Sequence, residues 1–144
     1  MSYSATKVIG EAALRAVIKE LPYIKMWEPL GSSAGETHIE WAQWADAMLI
    51  APCTASCISS LHNGSYDSTV TLVAANIESK NWYLAPAMSQ EMWEQPAVKR
   101  NVSILKKWGA NFLGPVQGKV ASGDTGQRLM EPRDIATKLT NFLK

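Results

Sequence analysis

Cysteine is scarce: the 144-residue chain holds two, Cys53 and Cys57. Two cysteines cannot build a disulfide framework, so a reducing, cytoplasmic setting is the expectation. An excess of charge is missing too, since 14 Lys and Arg against 13 Asp and Glu leave +1. That removes the basic footprint of a nucleic-acid binder and the polybasic patch of a membrane binder. Long apolar runs are also lacking. The longest, residues 47–51, has the length of one strand, so nothing is expected to span a bilayer. No basic stretch followed by an apolar one opens the chain, and no secretory signal is expected. Glycine and proline, at 9 and 7, are ordinary in number, which excludes fibrous and low-complexity classes. The P-loop, the G-x-G-x-x-G and the G-x-S-x-G patterns are absent, and no Ser-His-Asp order can be defended.

What is present reads as one α/β domain over residues 1–144, with 47% hydrophobic residues to form a core. Apolar residues at Ala5, Val8, Ile9, Ala12, Ala13, Ala16 and Val17 have a helical period and predict a helix over 4–18. Ser2 or Ser4 can cap it, and Leu21-Pro22 ends it. Residues 23–27 suit a short strand, and 31–35 a loop. Thr37-His38-Ile39-Glu40 has a capping-box pattern and opens a helix through Trp44. Buried strands are expected at 47–51, 82–85 and 110–113. Helices are expected at 54–62, ended by Asn63-Gly64, at 67–76, from Pro96 to Gly109, and from Pro132 onward. Residues 86–89 and 114–129 read as loops, the second with room for a hairpin. Uninterrupted apolar strands alternating with helices argue a parallel sheet covered on both faces. In such sheets ligands bind beyond the carboxyl ends of the strands, which singles out 52–56, 86–89 and 114–129.

Few side chains there suggest chemistry on their own. His38 lies in the first turn of its helix, where the dipole favours a neutral ring that could act as a base. A capping or surface histidine fits the same position. His62, beside Asn63-Gly64 at a helix end, reads as structural. Cys53 and Cys57 are four residues apart, with no further cysteine and no histidine pair, so a zinc site is not expected. Free buried thiols are the simpler reading. Pro52-Cys53-Thr54-Ala55-Ser56 joins a strand end to a helix start, and its N–H groups and hydroxyls suit a phosphate or a flavin edge. An ordinary strand–helix turn would look the same. Ser122-Gly123-Asp124-Thr125-Gly126 could be a mobile lid or a plain surface hairpin.

Five segments, taken together and in order, resemble one family. His38-Ile39-Glu40-Trp41-Ala42-Gln43-Trp44-Ala45-Asp46 resembles the H-I-E-L-x-x-W-A-D segment of the flavin-containing cysteine decarboxylases. These include the phosphopantothenoylcysteine decarboxylases of coenzyme A synthesis and the peptide cysteine decarboxylases of lanthipeptide-type pathways. Ala51-Pro52-Cys53-Thr54-Ala55-Ser56 is similar to their A-P-A-T-A-N turn. Residues 64–71 keep Gly64, Asp67 and Thr71 of G-I-x-D-N-L-L-T. Pro86-Ala87-Met88-Ser89-Gln90-Glu91-Met92-Trp93 resembles P-A-M-N-x-x-M-W. Ala121-Ser122-Gly123-Asp124-Thr125-Gly126 resembles the lid segment A-C-G-x-x-G, with Met130-Glu131-Pro132 following as in the family.

The resemblance implies a Rossmann-like, flavodoxin-like three-layer fold, FMN at a subunit boundary, and a homo-trimer or higher assembly. It implies oxidation and decarboxylation of a small-molecule or peptide substrate ending in cysteine, with an enethiolate product. Carried over residue by residue, His38 is the base and Ser89 the carboxylate contact. Ser2, Ser4, Pro52, Thr54, Ala55, Ser56, Asp67, Ala87 and Met88 contact FMN. Ala121, Ser122, Gly123, Gly126 and Met130 belong to the substrate lid.

Three departures stand beside these matches. Ser89 replaces an asparagine, and a hydroxyl offers one donor where an amide offers two. Ser122 replaces the lid cysteine, whose proton completes the reductive half-reaction in the coenzyme A enzymes; a hydroxyl does not supply it readily. An oxidative decarboxylase needs no such cysteine, and a non-catalytic flavoprotein or regulatory subunit needs neither residue. Finally, the family's first strand, phosphate loop and helix, a βαβ portion of roughly 30 residues, precede the segment that aligns with Met1. A neighbouring subunit or second chain in a hetero-oligomer could supply that piece and cover the strand edge it leaves.

Overall fold

The computed structural model describes residues 1–19, 22–25, 37–119, 123 and 125–143. The candidate lid residues Ala121 and Ser122 lie outside these residues, as does the 26–36 segment.

The 4–18 periodicity forms two pieces. A 3₁₀ turn spans Tyr3–Lys7, capped by the Ser2 side chain, and helix α1 spans Glu11–Ile18. Gly10 breaks the pattern because it takes the extended N-cap conformation, φ −68° and ψ 144°, where glycine is well tolerated and in helix interiors is not. Helix α1 buries none of its residues, and Val17 is 79% exposed. The strand expected at 23–27 is not formed by Tyr23, Ile24 or Lys25; its last two residues lie outside the described ones. Tyr23 is instead buried, with its carbonyl accepting the Met1 ammonium at 2.6 Å.

The capping-box segment opens helix α2, Thr37–Trp44, as expected. Strand β1 is Met48–Cys53, helix α3 is Ala55–Asn63 and helix α4 is Thr69–Ala74. The strand expected to be buried at 47–51 is buried only at Ile50 and Cys53, with Leu49, Ala51 and Pro52 exposed, because β1 lies at an edge of its sheet. The end of α3 is Gly64 at φ 69°, a left-handed position suited to glycine. Helix α4 is shorter than the expected 67–76 because Ser68 is extended and forms a reciprocal capping box with Thr71. Strand β2, Trp82–Pro86, is buried along its whole length, as a strand covered on both faces must be.

The 86–89 segment, read from sequence as a loop, ends in strand β3, Met88–Ser89, followed by helix α5, Gln90–Glu94. No periodicity announces a two-residue strand; its partner comes from far along the chain. Helix α6, Pro96–Lys107, starts on proline and buries Asn101, Val102 and Leu105. Strand β4 is Asn111–Phe112. Strands β5, Val116–Lys119, and β6, Thr125–Arg128, form the hairpin for which the 114–129 segment has room. Helix α7 is Pro132–Phe142.

Among the described residues two sheets form: a parallel one ordered β1-β2-β4 and an antiparallel one ordered β3-β6-β5. The order places β1 at an edge of the parallel sheet. One core holds Ile50, Cys53, Ile58, Leu61, Leu84, Val102 and Leu105, between the sheet and the helices on one face. A second holds Tyr83, Ala85, Leu113, Met130 and Ile135 on the other. Neighbours in β2, Leu84 and Ala85, thus point into different cores, the period-two consequence of a strand. Each fully buried Leu or Ile contributes about 1.5–3 kcal/mol. The expected inner face of α7 is partly realised: Ile135 is buried, Leu139 half-buried, and Phe142 lies against Tyr83 with ring centroids 5.4 Å apart.

Candidate functional site

Parallel pairing brings two of the singled-out turns together. Cys53 at the end of β1 is registered with Pro86 at the end of β2, and the Ala87 N–H donates to the Cys53 carbonyl at 3.3 Å. Pro52-Cys53-Thr54 and Pro86-Ala87-Met88 therefore lie side by side at the carboxyl edge of the sheet. Pro52, Thr54 and Ser56 are exposed there, and Ala55 and Ala87 half-buried. Thr54 caps α3, its hydroxyl accepting from the Cys57 N–H at 3.2 Å. The N–H groups of Ala55 and Ser56 lie in the first turn, ahead of the reach of the helix's own ladder.

The third segment joins the second through the antiparallel sheet. Met88 pairs with Gln127 and Ser89 with Gly126. Gln127 Nε2 also donates to Gln90 Oε1 at 2.6 Å. The hairpin is thereby clamped to the turn that carries Ser89. Gln90 and Gln127 carry this clamp, and no sequence signal marks them, because the pairing joins residues 37 positions apart. Gly126 is buried in the pairing, whereas Gly123 is exposed at φ 89°. Met130, assigned to the lid from its motif, is 6% exposed within the second core. It anchors the base of the hairpin. Met88 is likewise buried, in the first core.

Ser89 is an N-cap. Its hydroxyl oxygen accepts from the Met92 N–H at 3.3 Å, which leaves the hydroxyl proton to donate elsewhere. His38 lies one residue into α2, half-buried. Its Nδ1 is fully buried and has no hydrogen-bond partner among the described residues. A buried polar atom left unsatisfied costs about 1–3 kcal/mol, and native folds seldom retain one without a use for it. Four residues on, Ala42 packs in the same core as Cys53 and Met88, which ties α2 to both turns.

The N-terminal candidates fall near Asp67. The Thr69 hydroxyl donates to the Met1 carbonyl at 3.1 Å, placing Ser2 beside the start of α4 and the exposed Asp67 just ahead of it. The Ser2 hydroxyl is occupied in capping, accepting from the Ala5 N–H at 3.3 Å. Ser4 is exposed. Burial lowers the pKa of the Met1 ammonium. Among the described residues no group of His, Cys, Asp or Glu could hold a metal ion. No helix is long and apolar enough to cross a membrane.

Several known proteins share this arrangement. The coenzyme A biosynthesis bifunctional protein CoaBC of Bacillus subtilis (strain 168) is 35% identical over 136 residues, 94% of this chain and 33% of that protein. The phosphopantothenoylcysteine decarboxylase HAL3a of Glycine max is 36% identical over 118 residues, 81% of this chain and 55% of that protein. This chain thus spans a third to a half of the length of these relatives. Among solved structures, the FMN-dependent cysteine decarboxylase SpaF superposes with a TM-score of 0.78 at 26% identity, over 100% of this chain and 78% of that one. A PPC decarboxylase mutant complexed with pantothenoylaminoethenethiol gives 0.80 at 25% identity, over 99% and 80%. The parallel sheet flanked by helices is the Rossmann-like, flavodoxin-like fold of these structures. The Flavoprotein family model runs over residues 1–144, taking in all three carboxyl-edge turns as well as the core, and this chain belongs to that family.

Proposed function

We propose that this chain is an FMN-binding domain, residues 1–144, that decarboxylates a cysteinyl carboxylate in a phosphopantothenoyl or peptide setting in the cytoplasm. The observation that carries the reading is His38: a ring nitrogen held out of water with no hydrogen-bond partner among the described residues.

The carboxyl edge fits a flavin nucleotide by its chemistry. The first-turn N–H groups of Ala55 and Ser56 and the exposed Ser56 hydroxyl are donors for a phosphate. Pro52 and Ala87 offer apolar surface beside them, and Asp67 and Ser4 are polar groups near the N-terminal segment. FMN, when bound, supplies the two-electron oxidation of the substrate's cysteine. The residues of this chain bind, orient and move a proton. His38 takes the proton on its half-buried imidazole ring, and the Ser89 hydroxyl donates to the substrate carboxylate. Gln90 and Gln127 hold the β5–β6 hairpin to the turn that carries Ser89. The partner is a second and third copy of this chain, or a hetero-oligomer that covers the open edge of β1.

One observation favours a second reading, a non-catalytic FMN-binding or regulatory subunit. The oxygen of Ser89 is engaged by the Met92 N–H, so a single hydroxyl proton remains for a carboxylate. The readings separate by experiment. Purified protein is expected to be yellow, with FMN released on denaturation, and to liberate CO₂ and an absorbing enethiol from a cysteinyl substrate. Colourless protein that takes up no FMN on titration would overturn both. FMN binding with turnover appearing only in a Ser89→Asn, Ser122→Cys variant would favour the second. Native mass reports the assembly.

A further inference from the structure

Helix α5 has five residues, Gln90–Glu94, too few to stand on helical propensity alone. Ser89 is its N-cap, so whatever holds α5 also holds the Ser89 hydroxyl. Backbone pairing supplies part of that hold, Met88 against Gln127 and Ser89 against Gly126. Side chains supply the rest. Gln127 Nε2 donates to Gln90 Oε1 at 2.6 Å, and Gln90 Nε2 donates to Glu94 Oε1 at 3.1 Å. The same carboxylate oxygen accepts from Lys99 Nζ at 3.1 Å, and that ammonium lies 5.1 Å from the centre of the Trp93 ring. A continuous polar chain thus runs from β6 along α5 to α6.

The chain has a direction, set by its anionic member. A carboxylate only accepts, so Gln90 turns its amide nitrogen to Glu94 and its oxygen to Gln127. Gln127 must therefore be the donor. Glu94 and Lys99 are exposed, and an exposed ion pair contributes little. Gln90 and Gln127 are half-buried, where water competes less for their amides. The Gln90–Gln127 bond is the stronger link of the chain.

We propose, on the reading of Ser89 as the carboxylate contact, that Gln127 acts through Gln90 as a positioning residue for the Ser89 hydroxyl and so sets affinity for the carboxylate end of the substrate. Gln127 fixes the first residue of α5, and with it the turn on which Ser89 sits. A contact present in the bound substrate and in the transition state alike acts on KM and leaves kcat unchanged. A purely structural loss would reduce the active fraction, which lowers kcat and leaves KM alone.

The test compares three replacements of one residue in the flavin-loaded protein. Gln127→Ala and the near-isosteric Gln127→Glu, which lacks a donor, should raise KM for a cysteinyl substrate about three- to tenfold, the loss expected for one hydrogen bond. FMN affinity and kcat should stay at wild-type values. Gln127→Lys keeps a donor and should recover most of the loss. Gln90→Ala should match Gln127→Ala, and the double variant should be no worse than either, because both remove the same bond. A second readout needs neither flavin nor substrate. Hydrogen exchange at the Met92 N–H, which donates to the Ser89 hydroxyl oxygen, should quicken by a similar factor in the Ala and Glu variants and return towards wild type in the Lys variant. A wild-type KM in Gln127→Glu, a Lys variant no better than Ala, or a loss confined to kcat would overturn the proposal. Wild-type protein that releases no CO₂ would defeat the decarboxylase reading instead. Exchange then decides: an unchanged Met92 rate in Gln127→Glu overturns the proposal, and a faster rate that Gln127→Lys reverses upholds the hold on Ser89.

Discussion

Replacing His38 by leucine should make the protein more stable and less active at once. The ring's Nδ1 is buried without a hydrogen-bond partner among the described residues, and an unsatisfied buried polar atom costs about 1–3 kcal/mol. Leucine is close in volume and carries no polar atom, so that cost disappears. The remainder of the ring is partly exposed, and the expected gain is therefore near the low end, about 1 kcal/mol. For a chain of this size that is roughly a 4 °C rise in Tm. If His38 moves a proton in the reaction, its loss should lower turnover by about 10²–10⁴-fold. Urea unfolding and thermal melts give the first quantity, and CO₂ release at saturating FMN the second. His38→Asn, which keeps a polar group near the same place, should lose turnover without the full gain in stability. A His38→Leu protein that melts several degrees lower with unchanged turnover would refute the reasoning, because the histidine would then be a structural element.

Other perturbations test other parts of the site and core. Ser89→Ala removes the cap of α5 and should cost about 1 kcal/mol in urea unfolding. Ser89→Asn keeps a capping oxygen and should leave stability nearly unchanged while raising turnover. Trp82→Phe removes the indole N–H that donates to the buried Ala74 carbonyl at 3.2 Å. A loss of about 1–3 kcal/mol is expected in the same assay, with FMN content unaltered. The two thiols should also write themselves into the pH dependence of stability. Cys57 titrates lower in the folded chain than in the unfolded one. Between its folded pKa and the ordinary thiol pKa of about 8.5, the unfolded state binds more protons and stability rises with pH. Cys53 titrates higher when folded. Above the ordinary thiol pKa the unfolded state releases its proton first, and stability falls as pH rises towards the folded pKa of Cys53. Urea unfolding against pH should pass through a maximum near that point. Cys53→Ala should reduce the alkaline fall, leaving the share of Tyr23, whose pKa burial also raises.

Local features of the chain account for a good part of the fold. Pro96 and Pro132 start α6 and α7, and Gly64 ends α3, because these residues act through their own backbone geometry. The fully buried β2 was legible as a continuous apolar run, and the carboxyl-edge turns followed from the strand–helix alternation. The motif around His38 was legible too, although its value as a base rests on an unpartnered nitrogen that no motif reveals.

What the sequence determined by itself is therefore what short-range chemistry dictates: the helix ends set by Pro96, Pro132 and Gly64, the buried β2, the α/β class and the family. The tertiary structure alone decided the rest. It drew residues 88–89 out of an apparent loop into β3, because their hydrogen-bond partners lie in the distant β6. It turned Met130 from a lid residue into a core anchor, since burial depends on the neighbours that the completed sheet supplies. It gave Cys53 and Cys57 opposite pKa shifts, since a thiol's pKa follows its burial and its hydrogen bonds. Spacing along a chain carries no such information, because desolvation and long-range pairing exist only once distant segments have packed.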